Sequence, residues 1–352
     1  MTIDTAKLDA FMGNFVRDIG AVMHAATVVV GDQLGLYKAL AAGGPMSADE
    51  LARRTETDPR YLLEWLSSQA ASGYVEYDPA TQRFSLSEEQ AFALAEEGSP
   101  AFIPGAFQIG MAQFKAVPKI AAALRTGLGV GWHEHDAALF HGTERFFRPG
   151  YAANLVAQWL PALDGAEDRL RAGARVADVG CGHGASTLIM AEAYPTSTFV
   201  GYDYHEPSIA YARGAAEKAG LADRVRFEVA TAQDYPGRDY DLVTVFDCLH
   251  DMGDPVGAAA HVRHSLADGG SWMIVEPFAG DRLEDNLNPI GRIFYSASTF
   301  ICTPASRSQE VGRCLGAQAG EARLREVVTA GGFGHFRRAA EPPFTRIFEA
   351  RA

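Results

Sequence analysis

The chain has 352 residues, enough for two domains, and its hydrophobic and charged fractions of 47% and 21% are ordinary for a globular protein. A formal net charge of −13 disfavours nucleic acid as a partner, because such affinity depends on basic side chains that neutralise phosphates. No apolar run approaches the roughly 18 residues that span a bilayer, and the opening MTIDTAKLDAF lacks the basic and apolar regions of a secretory signal. Four cysteines without a CxxC pair indicate reduced thiols, so we expect a cytoplasmic protein that makes no membrane contact.

Residues 1–98 are predicted to form a winged-helix domain. Ser47 is followed three residues later by Glu50, the pattern of a capping box at a helix start. Asp58 precedes a second helical stretch with apolar residues at helical spacing. The segment 74–87 then alternates on both sides of a proline-containing turn, as a hairpin does. Helices followed by such a hairpin are typical of a winged helix.

The charge of this domain argues against DNA as its ligand. Residues 32–94 contain ten acidic and five basic side chains, and the predicted recognition helix, 59–72, has one basic residue, Arg60, opposed by Glu64. A protein that binds DNA should present a basic face. We therefore expect a dimerisation domain. A winged-helix transcriptional regulator that uses the second domain as a sensor is the alternative function.

Residues 99–165 are predicted to form a helical linker and active-site cover, broken near 126–136 and ending in an amphipathic helix at 151–163. The break contains histidines and acids that could bind a metal, namely His133, Glu134, His135, Asp136 and His141. No confirming cluster appears elsewhere in the sequence, so we expect no metal. We expect Trp132 and His133 to line a pocket, with a solvated loop as the alternative.

The remaining chain, 166–352, alternates apolar strands with helical stretches. Strands are predicted at 174–180, 198–203, 225–230, 241–247 and 271–277, with helices at 185–194, 206–219 and 255–267. This alternation predicts an α/β domain with a parallel sheet and helices on both faces. The segment 334–351 differs, because two strands joined by a Pro-Pro turn must be antiparallel.

The first strand of this domain runs into a glycine loop, VADVGCGHGAST, at 176–187. Its glycines fit the dinucleotide fingerprint, and Asp203 closes the next strand, where it could accept both hydroxyls of a ribose. These features fit any adenosine cofactor, so a nicotinamide-dependent oxidoreductase is a further alternative. Asp178 lies two residues before Gly180, where it can fix the loop amides and would repel a pyrophosphate. That acid and the antiparallel ending favour another cofactor.

The segments VADVGCGHGAST, GYD and YDLVTVFDCLHDMGDP resemble the class I S-adenosylmethionine-dependent methyltransferases, and the resemblance covers about 145–352. The N-terminal half resembles the winged-helix dimerisation domain found ahead of many small-molecule methyltransferases. The resemblance implies a Rossmann-like sheet of seven strands with the last antiparallel, S-adenosylmethionine as cofactor, a small-molecule acceptor and a homodimer. By the same resemblance, the cofactor would contact Asp178, Gly180, Cys181, Gly182, Asp203 and Tyr204.

The ends of the third and fourth strands are expected to border the same cofactor. After the third strand the family often has an acid that contacts adenine, whereas this chain has Thr231, Ala232 and Gln233. We expect Ala232 and Gln233 to take that place, and Phe246 and Asp247 to border the cofactor from the fourth strand.

Methyl transfer to a hydroxyl needs an aligned acceptor and a base with a pKa near neutral, which favours histidine. HDM at 250–252 resembles the HDW motif of plant-type O-methyltransferases, whose glutamate after the fifth strand matches Glu276, and GEARLREV at 320–327 resembles the segment of their second glutamate. The resemblance implies catalytic roles for His250, Glu276 and Glu321. The alternative is that His250 begins a helix and Glu276 caps a loop.

The insertion at 285–304 often covers the acceptor in this family. Its polar residues Asn288, Arg292 and Tyr295 are therefore candidates for acceptor contact. The alternative is a helix that packs Ile293, Phe294 and Phe300 inward.

Overall fold

The computed structural model describes residues 3–352, so residues 1 and 2 of the predicted first domain lie outside the described part. The chain divides into two compact units. One contains the residues up to 112 together with 141–149, and the other contains 113–140 together with 150–352.

The first unit has the order of a winged helix, as predicted. Its helices are α1 (Thr5–Gln33), α2 (Leu36–Gly43), α3 (Ala48–Thr55), α4 (Pro59–Ala71) and α5 (Glu88–Leu94), and its wing is β1 (Glu76–Asp78) with β2 (Arg83–Ser85). The wing strands pair antiparallel. Ser47 and Glu50 form the predicted capping box at α3, and the Asp58 carboxylate accepts from the first amides of α4. Local capping thus sets both helix starts.

Two long helices follow, α6 (Pro104–Thr126) and α7 (Ala137–Asn154). The helix predicted at 151–163 is the end of α7, which begins at Ala137 and continues through Pro149 into a π-helical turn at Leu155–Trp159. The Asp136 carboxylate caps its start by accepting from the Ala138 amide at 3.0 Å. The predicted start was therefore too late, because a proline does not always end a helix.

The second unit is built on a seven-stranded sheet. Its strands are β3 (Arg175–Val179), β4 (Thr198–Asp203), β5 (Val225–Val229), β6 (Tyr240–Phe246), β7 (Leu266–Pro277), β8 (His335–Ala340) and β9 (Thr345–Arg351). Their order is β5-β4-β3-β6-β7-β9-β8. The neighbours from β5 to β7 are parallel, while β9 is antiparallel to both β7 and β8. The predicted parallel sheet with an antiparallel ending is confirmed.

Helices cover this sheet between the strands: α8 (Ala166–Ala172), α9 (Ala185–Ala193), α10 (Glu206–Lys218), α11 (Pro255–Ser265), α12 (Pro289–Phe300), α13 (Cys302–Ser308) and α14 (Gly320–Ala330). The strand order reverses between β3 and β6, which is where ligands bind in sheets of this type. The carboxyl ends of β3, β4, β6 and β7 therefore meet at one edge and hold the candidate site.

Among the described residues, no single helix is long and apolar enough to cross a membrane. Within residues 3–352, one bent pair of helices, α1 with α2, reaches the required length and composition across a bend of 68°.

Candidate active site

The loop after β3 depends on three glycines with positive φ. Gly180, Gly182 and Gly184 have φ of 74°, 52° and 80°, which residues with a Cβ rarely adopt. A Cβ at Gly180 would lie 2.6 Å from Sγ of Cys248, and one at Gly184 would lie 2.5 Å from the ring of Phe227. At Gly182 no described atom lies within 4 Å of that position. Gly180 and Gly184 thus allow Cys248 and Phe227 to pack against the loop, whereas the space beside the backbone of Gly182 is open to a ligand.

Asp178, at the end of β3, is 1% exposed. Its carboxylate accepts from the hydroxyls of Ser186 at 2.7 Å, Thr187 at 2.6 Å and Thr244 at 3.0 Å. Burial raises its pKa against the opposing effect of these hydroxyls. The hydrogen bonds that the structure shows therefore join Asp178 to the first turn of α9 and to β6, whereas the sequence suggested the loop amides.

Asp203, at the end of β4, is the acid that holds the glycine loop. Its Oδ2 accepts from the amide of Gly182 at 2.9 Å, and its Oδ1 accepts from the amide of His205 at 2.8 Å. Burial raises the pKa of this carboxyl. A carboxylate oxygen can accept more than one hydrogen bond, so Asp203 retains capacity for the hydroxyls of a ribose.

Cys181 lies in the same loop and is buried. Its amide donates to the carbonyl of Tyr202 at 3.0 Å. Burial raises the pKa of its thiol well above the usual value, so this group stays protonated at neutral pH. Cys181 therefore offers no thiolate to a ligand, and its carbonyl accepts from the amide of Gly184 at 2.8 Å within the loop.

Tyr204, which directly follows Asp203, contacts the segment with Trp132 and His133 that is predicted from the sequence to line a pocket. Its ring is perpendicular to that of His133, with centroids 6.2 Å apart. Burial raises the pKa of its hydroxyl to about 12, an effect opposed by the backbone amides of His133 and Trp132. Trp132 in turn packs its ring 5.2 Å from that of Phe140.

The loop after β5 contains the residues expected beside adenine. Ala232 packs against the core of this unit, and the Gln233 amide donates to the carbonyl of Asp254 at 3.2 Å. An acid is present at Asp234, but its carboxylate accepts from the amide and hydroxyl of Thr231. The acidic side chain here stabilises a turn.

Asp247 follows β6 in a left-handed conformation, with φ of 51°. Such a backbone is uncommon for residues other than glycine and is often found at functional sites. Its carboxyl accepts from the hydroxyl of Tyr151 at 3.1 Å, and the Tyr151 ring lies 5.1 Å from that of Phe246. Burial, together with the charge of Glu276, raises the pKa of Asp247 to about 7. Sequence reasoning did not identify Tyr151.

The predicted pair of His250 and Glu276 is brought together at the ends of β6 and β7. Nδ1 of His250 lies 2.5 Å from Oε2 of Glu276, and the other glutamate oxygen accepts from the amide of Leu249 at 3.0 Å. The two residues are 3% and 2% exposed. Glu276 therefore fixes the imidazole orientation through Nδ1 and directs Nε2 to the opposite side.

Two residues that the sequence did not single out face Nε2. Oδ1 of Asp251 lies 3.1 Å from it, and the Cys302 thiol at the start of α13 lies within 4.8 Å of a ring nitrogen of His250 and of a carboxylate oxygen of Asp251. Burial alone would lower the pKa of His250, but the carboxylates of Glu276 and Asp251 outweigh it and raise that pKa. The only sequence signal was the position of Asp251 inside the HDM motif.

The turn that carries His250 is held by α13. Ser306 donates its hydroxyl to the carbonyl of Met252 at 2.8 Å. The Gln309 side chain accepts from the amide of Gly253 at 2.9 Å and donates to the carbonyl of Asp251 at 3.0 Å. These contacts fix the backbone on the Nε2 side of the histidine.

The contacts that the structure shows for Glu321 lie outside the cluster around His250. It lies in the first turn of α14, where its carboxylate pairs with Arg325 at 2.8 Å and with Arg338 at 2.5 Å. Partial burial would raise its pKa, but the two guanidinium groups lower it. The geometry gives Glu321 a structural ion pair with the arginines of α14 and β8, and its catalytic role stays a prediction.

The predicted acceptor residues of the insertion lie on or next to α12. Asn288 caps this helix by accepting from the amide of Gly291 at 2.9 Å, so its side chain has a local structural role. Arg292 is exposed and Tyr295 is half-buried. The alternative of an inward-packing helix is wrong for Ile293, which is 61% exposed, but Phe300 does pack against a cluster of buried residues.

Comparison with known proteins agrees with this architecture. Residues 170–331 match the family described as a methyltransferase domain, and residues 22–96 match an Rv2258c-like winged HTH domain. A 27-O-demethylrifamycin SV methyltransferase from Amycolatopsis mediterranei is 32% identical over 141 residues, or 40% of this chain and 46% of that protein. The chain thus matches about half the length of this relative.

Solved structures extend the similarity of fold over the whole chain. A putative O-methyltransferase from Nostoc punctiforme has a TM-score of 0.75 at 18% identity, with 100% of both chains covered. Human N-acetylserotonin methyltransferase, solved in complex with S-adenosylmethionine, has a TM-score of 0.71 at 16% identity, with 99% of this chain and 98% of that chain covered.

These findings confirm the expected enzyme class at the level of domain and fold, and the open backbone at Gly182 beside Asp203 fits the expected cofactor. By these comparisons the chain contains a winged HTH domain followed by a methyltransferase domain, and it has the fold of the S-adenosylmethionine-dependent O-methyltransferases with which it was compared.

Proposed function

We propose that the protein transfers a methyl group from S-adenosylmethionine to a hydroxyl of a small molecule, with His250 as general base. The observation that carries this proposal is the buried contact between His250 and Glu276 at the edge of the sheet where ligands bind in this fold. The pairing of a histidine with an orienting carboxylate is the arrangement that base catalysis on a hydroxyl requires.

The cofactor residues proposed are those of the loop after β3 and the end of β4. Gly182 offers an open backbone, and Asp203 offers carboxylate lone pairs to ribose hydroxyls. When bound, the cofactor supplies a methyl group activated by a positively charged sulfur. No phosphate is involved, so the acid at Asp178 beneath the loop is compatible with this ligand.

The protein's chemical contribution is to align the acceptor and to remove its proton. Because the carboxylates of Glu276 and Asp251 raise the pKa of His250, the reacting form is the neutral imidazole that forms above this raised pKa. In that form the Nε2 lone pair of His250 accepts the hydroxyl proton, while the Nδ1–H donates to Glu276. As the oxygen bonds to the methyl carbon and the carbon–sulfur bond breaks, that proton stays on Nε2, and the Glu276 carboxylate stabilises the resulting imidazolium. The acceptor hydroxyl takes the position at Nε2 that Asp251 occupies in this structure.

We also propose a homodimer formed through α1. A stripe of apolar residues on this helix is exposed, with Phe11 at 67%, Phe15 at 50% and Met23 at 67%. Large exposed apolar surfaces on a monomer typically mark a protein interface. A second copy of the same helix is the occupant proposed, because the winged-helix domain lacks the basic face that DNA binding needs.

A cytoplasmic location is proposed from the thiols. All four cysteines, Cys181, Cys248, Cys302 and Cys314, are free. Free thiols persist in reducing compartments.

The experiment is an assay with S-adenosylmethionine labelled at the methyl group and a panel of small hydroxyl compounds. We expect a labelled ether product from the wild-type protein and a rate lower by roughly 10²- to 10⁴-fold in His250→Ala. His264→Ala, which removes an exposed histidine of α11, is the matched control and should retain the wild-type rate. Equal rates for His250→Ala and wild type would contradict the base, and label on nitrogen or carbon would contradict the hydroxyl acceptor.

A further inference from the structure

The Nε2 side of His250 carries three side chains of types that bind metal ions. One ring nitrogen of His250, one carboxylate oxygen of Asp251 and Sγ of Cys302 all lie within 4.8 Å of one another. Ligand atoms around a tetrahedral zinc ion with bonds of ~2.0–2.3 Å are roughly 3.3–3.8 Å apart. The 3.1 Å between Nε2 and Oδ1 is already close to that range. A movement of about 1 Å at Cys302 would bring Sγ into the same range of distances from the other two ligand atoms.

One carboxylate oxygen of Asp251, Oδ1, is available to a ligand in this cluster. This atom is buried and forms no aligned hydrogen bond among residues 3–352, while burial raises the pKa of the Asp251 carboxyl and the nearby Cys302 thiol lowers it. Its 3.1 Å approach to Nε2 satisfies the distance for an ion pair, but it does not form an aligned hydrogen bond. A buried carboxylate oxygen without a partner is costly, and a cation between the three side chains would satisfy it.

Glu276 supplies the support that a metal-binding histidine usually has. Such a histidine typically donates its second ring N–H to a carboxylate, which fixes the ring and makes the ligating nitrogen more basic. Here Nδ1 contacts Oε2 of Glu276 at 2.5 Å, and Nε2 lies 3.1 Å from Oδ1 of Asp251. The arrangement that orients a catalytic base thus also orients a metal ligand.

We propose that His250, Asp251 and Cys302 form a binding site for a divalent cation of the zinc class. A set of imidazole, carboxylate and thiolate favours zinc or cobalt over magnesium or calcium, which prefer oxygen alone. Binding forms one bond to each of the three side chains and releases the thiol proton of Cys302, with any proton on Nε2, to solvent. A fourth position stays open to water, and the partly exposed Asp251 side chain provides the path of entry.

The consequence for the enzyme is inhibition. A bound cation occupies the Nε2 lone pair, so His250 can no longer accept a proton from the acceptor. This consequence rests on the proposed function, whereas the binding of the cation does not. The test therefore measures binding without methyl transfer.

The experiment is a titration of the chelator-treated full chain with Co²⁺, followed by the near-ultraviolet charge-transfer band of a cobalt–thiolate bond, and a calorimetric titration with Zn²⁺. We expect one equivalent of each ion per chain. Cys302→Ser should lose the band and bind zinc at least ~10-fold more weakly. Cys314→Ser, which removes a half-buried cysteine outside the cluster, should retain both signals.

Asp251→Asn provides a second variant in case Cys302→Ser does not fold. Because it keeps the thiol, it should retain the cobalt–thiolate band while binding zinc more weakly than wild type. The proposal is overturned if the wild type shows no saturable binding or no charge-transfer band. It is also overturned if the band persists in Cys302→Ser or disappears in Cys314→Ser, since either result would assign the metal to another thiol.

Discussion

Nδ1 of His250 lies 2.5 Å from Oε2 of Glu276, although the two residues are 26 positions apart in the chain. The contact exists because β6 and β7 are neighbouring parallel strands, so the residues that follow one strand lie beside the carboxyl end of the other. Both side chains are buried, which shields this contact from competition by water. The pair is therefore a fixed element of the site in the absence of any ligand.

Glu276→Gln should lower the rate of methyl transfer by roughly 10- to 100-fold while leaving the affinity for S-adenosylmethionine unchanged. The amide keeps the size of the side chain but carries no charge to orient and stabilise the imidazolium. Steady-state rates and calorimetric cofactor binding measure the two effects separately. Glu192→Gln, at an exposed position of α9, is the control. A full rate in Glu276→Gln would show that His250 needs no carboxylate.

Gly180→Ala and Gly182→Ala should have different effects although both glycines have positive φ. At Gly180 the new methyl group meets Sγ of Cys248 at 2.6 Å, so we expect mainly a lower melting temperature. At Gly182 the methyl group enters open space proposed for the cofactor, so we expect a smaller loss of stability and a large loss of cofactor affinity. Thermal unfolding and calorimetry of both variants check this, and wild-type cofactor affinity in Gly182→Ala would contradict the assigned position.

Asp247→Asn should make the protein more stable than wild type at alkaline pH. The pKa of Asp247 is raised from 3.8 to about 7 in the folded protein, so the folded state binds this proton more tightly than the unfolded chain. The contribution of this proton to the free energy of unfolding is fully present below about pH 4 and is lost as the pH rises through about 7. Asparagine tolerates the left-handed backbone and cannot ionise.

The measurement for this variant is the melting temperature from pH 4 to pH 9. The difference between Asp247→Asn and wild type should increase in favour of the variant across this range. A difference that is independent of pH would mean that Asp247 titrates in the folded protein as it does in the unfolded chain.

Phe11→Asp combined with Phe15→Asp should convert the protein from a dimer to a monomer. Both side chains belong to the exposed apolar stripe of α1, and two charges there would have to be buried in the interface. Leu128→Asp, at another exposed apolar position, is the matched control and should remain dimeric. Sedimentation velocity distinguishes the outcomes, and a monomeric wild type or a dimeric double variant would contradict the proposed interface.

The sequence predicted those parts of the site that follow directly from strand ends. Asp203 and the pair of His250 with Glu276 occur where an apolar strand stops, and parallel strands bring such positions to one edge. Local signals also predicted helix starts, as at Ser47 and Asp58. In these cases the prediction needs only residues a few positions apart, or the rule that parallel strands end at the same edge of a sheet.

Other parts depend on contacts that no local pattern encodes. Cys302 reaches His250 across an insertion without a motif, and Tyr151 reaches Asp247 across 96 positions of sequence. The hydrogen bonds of Asp178 to hydroxyls depend on how the first turn of α9 packs against β6. Glu321 matched a family motif by residue type, but its contacts are with Arg325 and Arg338, whose positions the motif does not specify.

The central claim is that the loop after β3 and Asp203 bind S-adenosylmethionine, and calorimetric titration of this cofactor tests it most directly. The wild type should bind one equivalent per chain. Asp203→Ala should bind at least ~10-fold more weakly, because it loses charge-assisted hydrogen bonds worth about 1.5–3 kcal/mol each. Asp223→Ala, which removes an exposed acid of the same domain, should bind as the wild type does. Equal affinity in Asp203→Ala and wild type, or no binding by either, would contradict the account.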